Sequence, residues 1–141
     1  MGSEMCIRDS SWKADLLTEF DPFETRLDRF VTLDKGNFIG KSVLEKRLKE
    51  GPKQKLVSLN IKCNHAPAHS GASLMDGNKV IGTITSGDWG HRVGMNLAYA
   101  FVNPTNSKIG TKFTLDLLGE LVPVEVIAAG PYDPSHKRLQ I

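Results

Sequence analysis

The strongest constraint in the sequence is a change of hydrophobic period at Gly51-Pro52. On the N-terminal side, apolar residues recur every three to four positions, the spacing of one helix face. On the C-terminal side they recur every second position, the spacing of one strand face. Helices first and strands afterwards predict an α+β fold that is mainly β. Short helices lead into a C-terminal antiparallel six-stranded barrel or jelly-roll-like domain. The natural boundary falls at this junction, giving a linker segment over 11–51 and a β-barrel over 52–141.

The individual elements follow from local signals. Asp21-Pro22-Phe23-Glu24 reads as a helix start, with Asp as N-cap, Pro at N1 and Glu closing a capping box. Leu27, Phe30 and Val31 are expected to form that helix's buried stripe. A second helix is predicted over 41–50, with Val43, Leu44 and Leu48 on one face. Glu45/Lys49 and Lys46/Glu50 stand four apart on the other. Gly51 and Pro52 stop it. Val57, Leu59 and Ile61 then alternate with polar residues. Asp76-Gly77-Asn78 marks a hairpin, because glycine tolerates positive φ. Leu97 to Val102 is uniformly apolar and expected to be central. Phe113, Leu115 and Leu117 alternate, Gly119-Glu120 turns the chain, and Val122, Val124 and Val126 alternate again. Pro123 has no N–H for a ladder and is expected at an edge or a bulge.

Composition excludes several function classes. Hydrophobic residues make up 40% and charged residues 24%, which is ordinary globular usage with enough apolar material for a core. A net charge of +2, without Lys/Arg runs interleaved with aromatics, argues against nucleic acid. No segment has the apolar length of a membrane span. Cys6 and Cys63 form neither a disulfide nor a metal pattern, so a reducing, cytoplasmic setting is expected. The first ten residues, MGSEMCIRDS, lack periodicity and an apolar signal core. Residues 4–10 resemble the translation of a transposase adapter used in DNA library preparation, as found in frames assembled from metagenomic sequence. Residues 1–10 are therefore expected to be a non-native tail, with the natural protein beginning upstream of Ser11 and this chain a fragment of it.

Candidate chemistry is sparse. His65 and His69 are four apart, but Pro67 between them opposes the helix that a shared metal would need, and an exposed loop is the preferred reading. Ser86, Asp88 and His91 suggest a nucleophile with a base. Yet the serine is not in a G-x-S-x-G elbow, and no second element supplies an orienting acid. The preferred reading is a strand ending near Thr85 in a long turn, with Trp89 over the barrel mouth. Trp89 and Arg92 suit stacking on a flat group or interdomain packing. Tyr132, Lys137 and Arg138 in the proline-fixed tail supply a ring and two cations for a carboxylate-bearing ligand, or else a tail that locks the barrel. The glycines do not form a dinucleotide or phosphate loop.

An ordered set of segments carries a family resemblance. Trp12-Lys13-Ala14-Asp15-Leu16, Pro22-Phe23-Glu24, Leu27-Asp28-Arg29-Phe30-Val31 and Lys35 to Lys41 resemble the linker region of glycine-cleavage T-protein (aminomethyltransferase) enzymes. Gly82-Thr83-Ile84-Thr85-Ser86-Gly87, Leu97-Ala98, Gly110-Thr111 and Tyr132-Asp133-Pro134 with Arg138-Leu139 resemble their C-terminal barrel. The Trp12 and Tyr132 variants look closer to the folate domains of dimethylglycine and sarcosine dehydrogenases. The resemblance implies a three-lobed parent enzyme that passes a one-carbon unit to tetrahydrofolate, with FAD in a missing N-terminal domain if it is of dehydrogenase type. It also implies that the catalytic aspartate and the folate-gripping Glu and Arg lie upstream of Trp12. Asp15 and Asp21 do not match that aspartate, so no catalytic residue is assigned here. Arg29, Trp89, Tyr132 and Arg138 are the candidate folate contacts, with no metal site. The missing upstream lobes are the expected partner and a methylated amine the parent's substrate. The competing expectation is a non-catalytic, stand-alone β-barrel interaction module.

Overall fold

The computed structural model describes residues 14–135 and Lys137. The adapter-like tail, Trp12 and the candidate Arg138 lie outside the described residues. Six strands make the barrel: β1 (Lys55–Ile61), β2 (Ser73–Asp76), β3 (Lys79–Gly90), β4 (Met95–Val102), β5 (Lys112–Leu117) and β6 (Glu120–Ile127). They close in the order β1-β4-β3-β2-β5-β6, with every pairing antiparallel. Closure leaves no unpaired sheet edge. The two-residue period sends Val57, Leu59, Ile61, Leu74, Ile84, Ala98, Ala100, Leu115, Val124 and Val126 into one buried interior. This mainly β, six-stranded antiparallel architecture is the one that the change of period predicts.

The two hairpins expected from the sequence form where glycine permits them. Gly77 has φ 57° between β2 and β3, and Leu118-Gly119 have φ 56° and 90° between β5 and β6. Two positive φ values in a two-residue loop match the twist of the strands they join. The expected helix over 41–50 is present as α1 (Lys41–Glu50), stopped by Gly51 at φ 77°.

Three expectations need correction. Asp21 and Glu24 do form a reciprocal capping box: Asp21 Oδ1 accepts from the Glu24 N–H at 3.0 Å, and Glu24 Oε2 accepts from the Asp21 N–H at 3.2 Å. The turn they start ends at Arg26, whose φ of 62° leaves the right-handed region. Only a 3-10 turn follows (Asp28–Phe30), and Phe30 is 70% exposed rather than buried. Second, Pro123 sits at neither an edge nor a bulge. It pairs with Thr114 on β5, just past the end of the β1–β6 ladder at Val124. Its carbonyl there accepts from the Lys62 N–H at 2.8 Å, so the absent N–H interrupts no ladder. Third, β3 does not end near Thr85. It continues to Gly90 by absorbing Thr85 as an extra residue, since Ile84 pairs with Ala100 and Ser86 with Tyr99.

β4 is buried on both faces, which explains its uniformly apolar sequence. Its inward residues fill the barrel, while its outward Tyr99 and Phe101 join Leu56 under residues 14–27. Phe20 of that segment tilts onto Phe101 with ring centroids 4.2 Å apart. We call residues 14–27 the strap.

Candidate functional site

Two places on the barrel wall gather polar side chains. The first lies under the strap. Asp15 is fully buried at 0% exposure. Its carboxylate accepts from the Thr85 hydroxyl and from the Ser86 hydroxyl at 2.8 and 3.0 Å to its two oxygens. The β3 bulge makes this arrangement, because an extra residue re-aims neighbouring side chains. Adjacent strand residues would otherwise point to opposite faces.

Arg26 closes the same region. Its Nη1 donates to Ser58 Oγ at 3.3 Å, and its guanidinium lies 5.5 Å from the Tyr99 ring centroid. Burial lowers the Arg26 pKa from its ordinary value, opposed by its interactions with Tyr99 and by the charge of Asp15. A guanidinium stays protonated through such a shift, so the strap carries a buried cation that feels the charge of Asp15. The left-handed backbone of Arg26 costs on the order of 1–3 kcal/mol. It persists because the capped turn before it and the barrel contacts after it fix both sides.

The second place is the rim where β3 turns into β4. Trp89 pairs in register with Asn96, whose Nδ2 donates to the Cys63 and Ala66 carbonyls at 3.0 and 2.7 Å. Arg92 Nη1 donates to the Tyr132 hydroxyl at 2.9 Å and lies 5.2 Å from the Tyr132 ring centroid. Tyr132 also packs beside Val93, Met95 and Ile127 around Leu97.

Of the four residues singled out from the sequence, Trp89 lies near the end of β3 and Tyr132 is held by Arg92 of the turn that follows. Arg29 stands elsewhere. It lies over Phe30 at 4.7 Å, and its neighbour Asp28 lines a hollow of about 240 Å³ with Phe23, Leu48, Pro52 and Lys55, beside the start of β1.

The Ser86-Asp88-His91 reading also changes. An acid does reach Ser86, from Asp15 of the strap. His91 is exposed, and Asp88 Oδ1 instead accepts from the Trp89 N–H at 2.7 Å. His65 contacts Cys63 Sγ at 3.4 Å and Glu120 at 3.1 Å, yet no group of three His, Cys, Asp or Glu side chains among the described residues can hold a metal ion. No described helix is long and apolar enough to cross a membrane.

Residues 54–133 match the family model described as the glycine cleavage T-protein C-terminal barrel domain. The chain belongs to that family. An aminomethyltransferase of Saccharopolyspora erythraea is 37% identical over 115 residues, covering 81% of this chain and 31% of that protein. Mitochondrial dimethylglycine dehydrogenase of Mus musculus is 31% identical over 133 residues, covering 92% of this chain and 15% of that protein. The fold also matches a crystal structure of the glycine cleavage system aminomethyltransferase T from Bartonella henselae, with a TM-score of 0.83 at 23% identity over 92% of this chain and 37% of that one. This T-protein barrel therefore spans a third or less of the curated relatives it matches. Within it, the Gly82-to-Gly87 segment has a steric reason: a Cβ on Gly82 would run into the Phe101 carbonyl oxygen, and one on Gly87 would lie 2.6 Å from that of Ala68.

Proposed function

We propose that this barrel and its strap form the C-terminal part of a tetrahydrofolate-dependent one-carbon transfer enzyme, of dimethylglycine or sarcosine dehydrogenase type or aminomethyltransferase type. The parent passes a methylene unit released from a methylated amine, or by glycine cleavage, to tetrahydrofolate. In the dehydrogenase type, FAD belongs to a separate N-terminal domain. The upstream folate lobes are the partner of this chain, and the setting is cytoplasmic. The observation that carries the reading is that similarity to the dehydrogenase extends over 92% of the chain, strap and barrel together.

The residues present suit a wall of the folate site rather than a whole one. The Arg92–Tyr132 pair offers a cation and a ring at the rim, which suits a carboxylate beside a flat group. The hollow near Arg29, about 240 Å³, falls below the few hundred Å³ of an ordinary small-molecule site.

Calorimetry on the purified chain tests this, with tetrahydrofolate as titrant. The expected result is weak or undetectable heat from the chain alone, and measurable binding once the upstream lobes of the same gene are restored. Micromolar binding by the chain alone would make the barrel a sufficient site. An upstream reading frame unrelated to folate lobes would instead favour the stand-alone interaction module.

A further inference from the structure

We infer that residues 14–27 are a strap that opens from the barrel as a unit, and that Asp15 is the latch holding it shut. The buried side chains of the segment 14–40 are Asp15, Glu24 and Thr25, all polar, and none of its apolar residues falls in the buried class. The barrel interior is the reverse, dominated by a cluster of apolar side chains. Adhesion that joins the apolar contact of Phe20 with Phe101 to buried hydrogen bonds is costly to break halfway, because a half-open state leaves buried polar groups unpaired. Such a contact opens cooperatively or not at all.

The attachment points are few and specific. Asp15 holds the start of the strap to the β3 bulge through Thr85 and Ser86. Phe20 rests on Phe101 in the middle. At the far end the Glu24 carbonyl accepts from the Leu56 N–H at 2.8 Å, and Arg26 reaches Ser58. Without the carboxylate, the Thr85 and Ser86 hydroxyls would face solvent and could bond to water, so the barrel keeps its own ladders. The guanidinium of Arg26 would lose a neighbouring anion, which loosens both ends together. Opening would bare Leu56, Tyr99 and Phe101, an aromatic face beside the Ser86 hydroxyl and a Thr85 hydroxyl that can turn to the Tyr99 carbonyl.

Native-state hydrogen exchange of the full chain, read by mass spectrometry, tests the inference. In the wild type, strap amides such as Leu27 should exchange through an opening distinct from, and easier than, that of β1 and β4. In Asp15→Ala, strap exchange should quicken roughly ten- to hundredfold, the scale of losing a hydrogen bond to a charged group, while β4 protection holds. Asp15→Asn, which keeps an acceptor oxygen, should recover part of the loss. Thr85→Val removes one donor and serves if the alanine variant fails to fold. A common opening for strap and barrel in the wild type would overturn the inference. So would an equal loss of protection in both, or an unchanged strap in every variant.

Discussion

The inner and outer faces of β4 are built on opposite principles. Inward, Ala98, Ala100 and Val102 meet Leu59, Ile84, Val124 and Val126 in an apolar cluster, with the buried Asn96 at its end bonded to the Cys63 and Ala66 carbonyls. Outward, Tyr99 and Phe101 lie under a strap whose buried residues are an aspartate, a glutamate and a threonine. One strand thus carries a core on one side and a docking contact on the other. The apolar side is non-directional and tolerates small shifts, with stability set by area and packing. The polar side depends on placement: Asp15 works only because a bulge turns two adjacent hydroxyls toward it. The contrast separates what makes the barrel fold from what fixes the segment that leads into it.

The sharpest way to test the contrast is to damage the inner side alone. Leu115 is 0% exposed and sits on β5, between β2 and β6. Leu115→Ala should cost about 2–5 kcal/mol, the scale of a core leucine truncation. Thermal or urea unfolding should show one cooperative transition moved downward, with strap and barrel signals shifting together because the strap has nothing to dock on without the barrel. A strap that keeps its exchange protection while the barrel melts would break the proposed hierarchy.

Gly82→Ala attacks the junction between the two sides. The added Cβ has no room beside the Phe101 carbonyl, and Val102 Cγ1 lies 3.0 Å away. Backbone cannot yield as a flexible side chain does, so a loss of roughly 1–3 kcal/mol is expected, as for overpacked sites. Because Phe101 also supports Phe20, strap protection should fall further than barrel stability alone explains. Equal losses would mean that Phe101 does not transmit the strain outward.

Much of the barrel is legible in the sequence, and most of the strap is not. The strands around Leu59, Leu74, Leu97 to Val102, Leu115 and Val124 announce themselves through period and turn residues, because each needs only its neighbours to be recognised. α1 is equally plain, with capping chemistry at its end. The Asp15 contact has no such signature. Its partners stand 70 and 71 residues away, and the bulge that aims them leaves no mark in an alternating pattern. The left-handed residue Arg26 likewise ends a turn that Asp21, Pro22 and Glu24 begin in full agreement with helix rules. At the rim, Trp89 and Tyr132 stand out as aromatics in loop-like sequence, but the pairing of Tyr132 with Arg92 needs the closed barrel. Arg29, a candidate taken from the family resemblance, falls near the start of β1, away from Tyr132, a separation that linear order conceals.

The smallest expected effect falls within the strap. Asp21 caps the single turn through the Phe23 and Glu24 amides at 2.9 and 3.0 Å, and lies 3.8 Å from Arg47 of α1. The ion pair is partly exposed and contributes little. The cap contributes about 0.5–2 kcal/mol of local stability. If the strap opens as a unit separate from the barrel, Asp21→Ala should cost that energy only in the strap's own opening. Strap amides would then exchange faster, and the unfolding midpoint of the barrel would stay within measurement error. If instead the strap is part of the barrel's cooperative unit, the same change should lower the midpoint by the full cap energy, a shift of a few degrees for a chain of this size. The two outcomes differ in which observable moves, so even this modest substitution decides between a latch and an extension of the core.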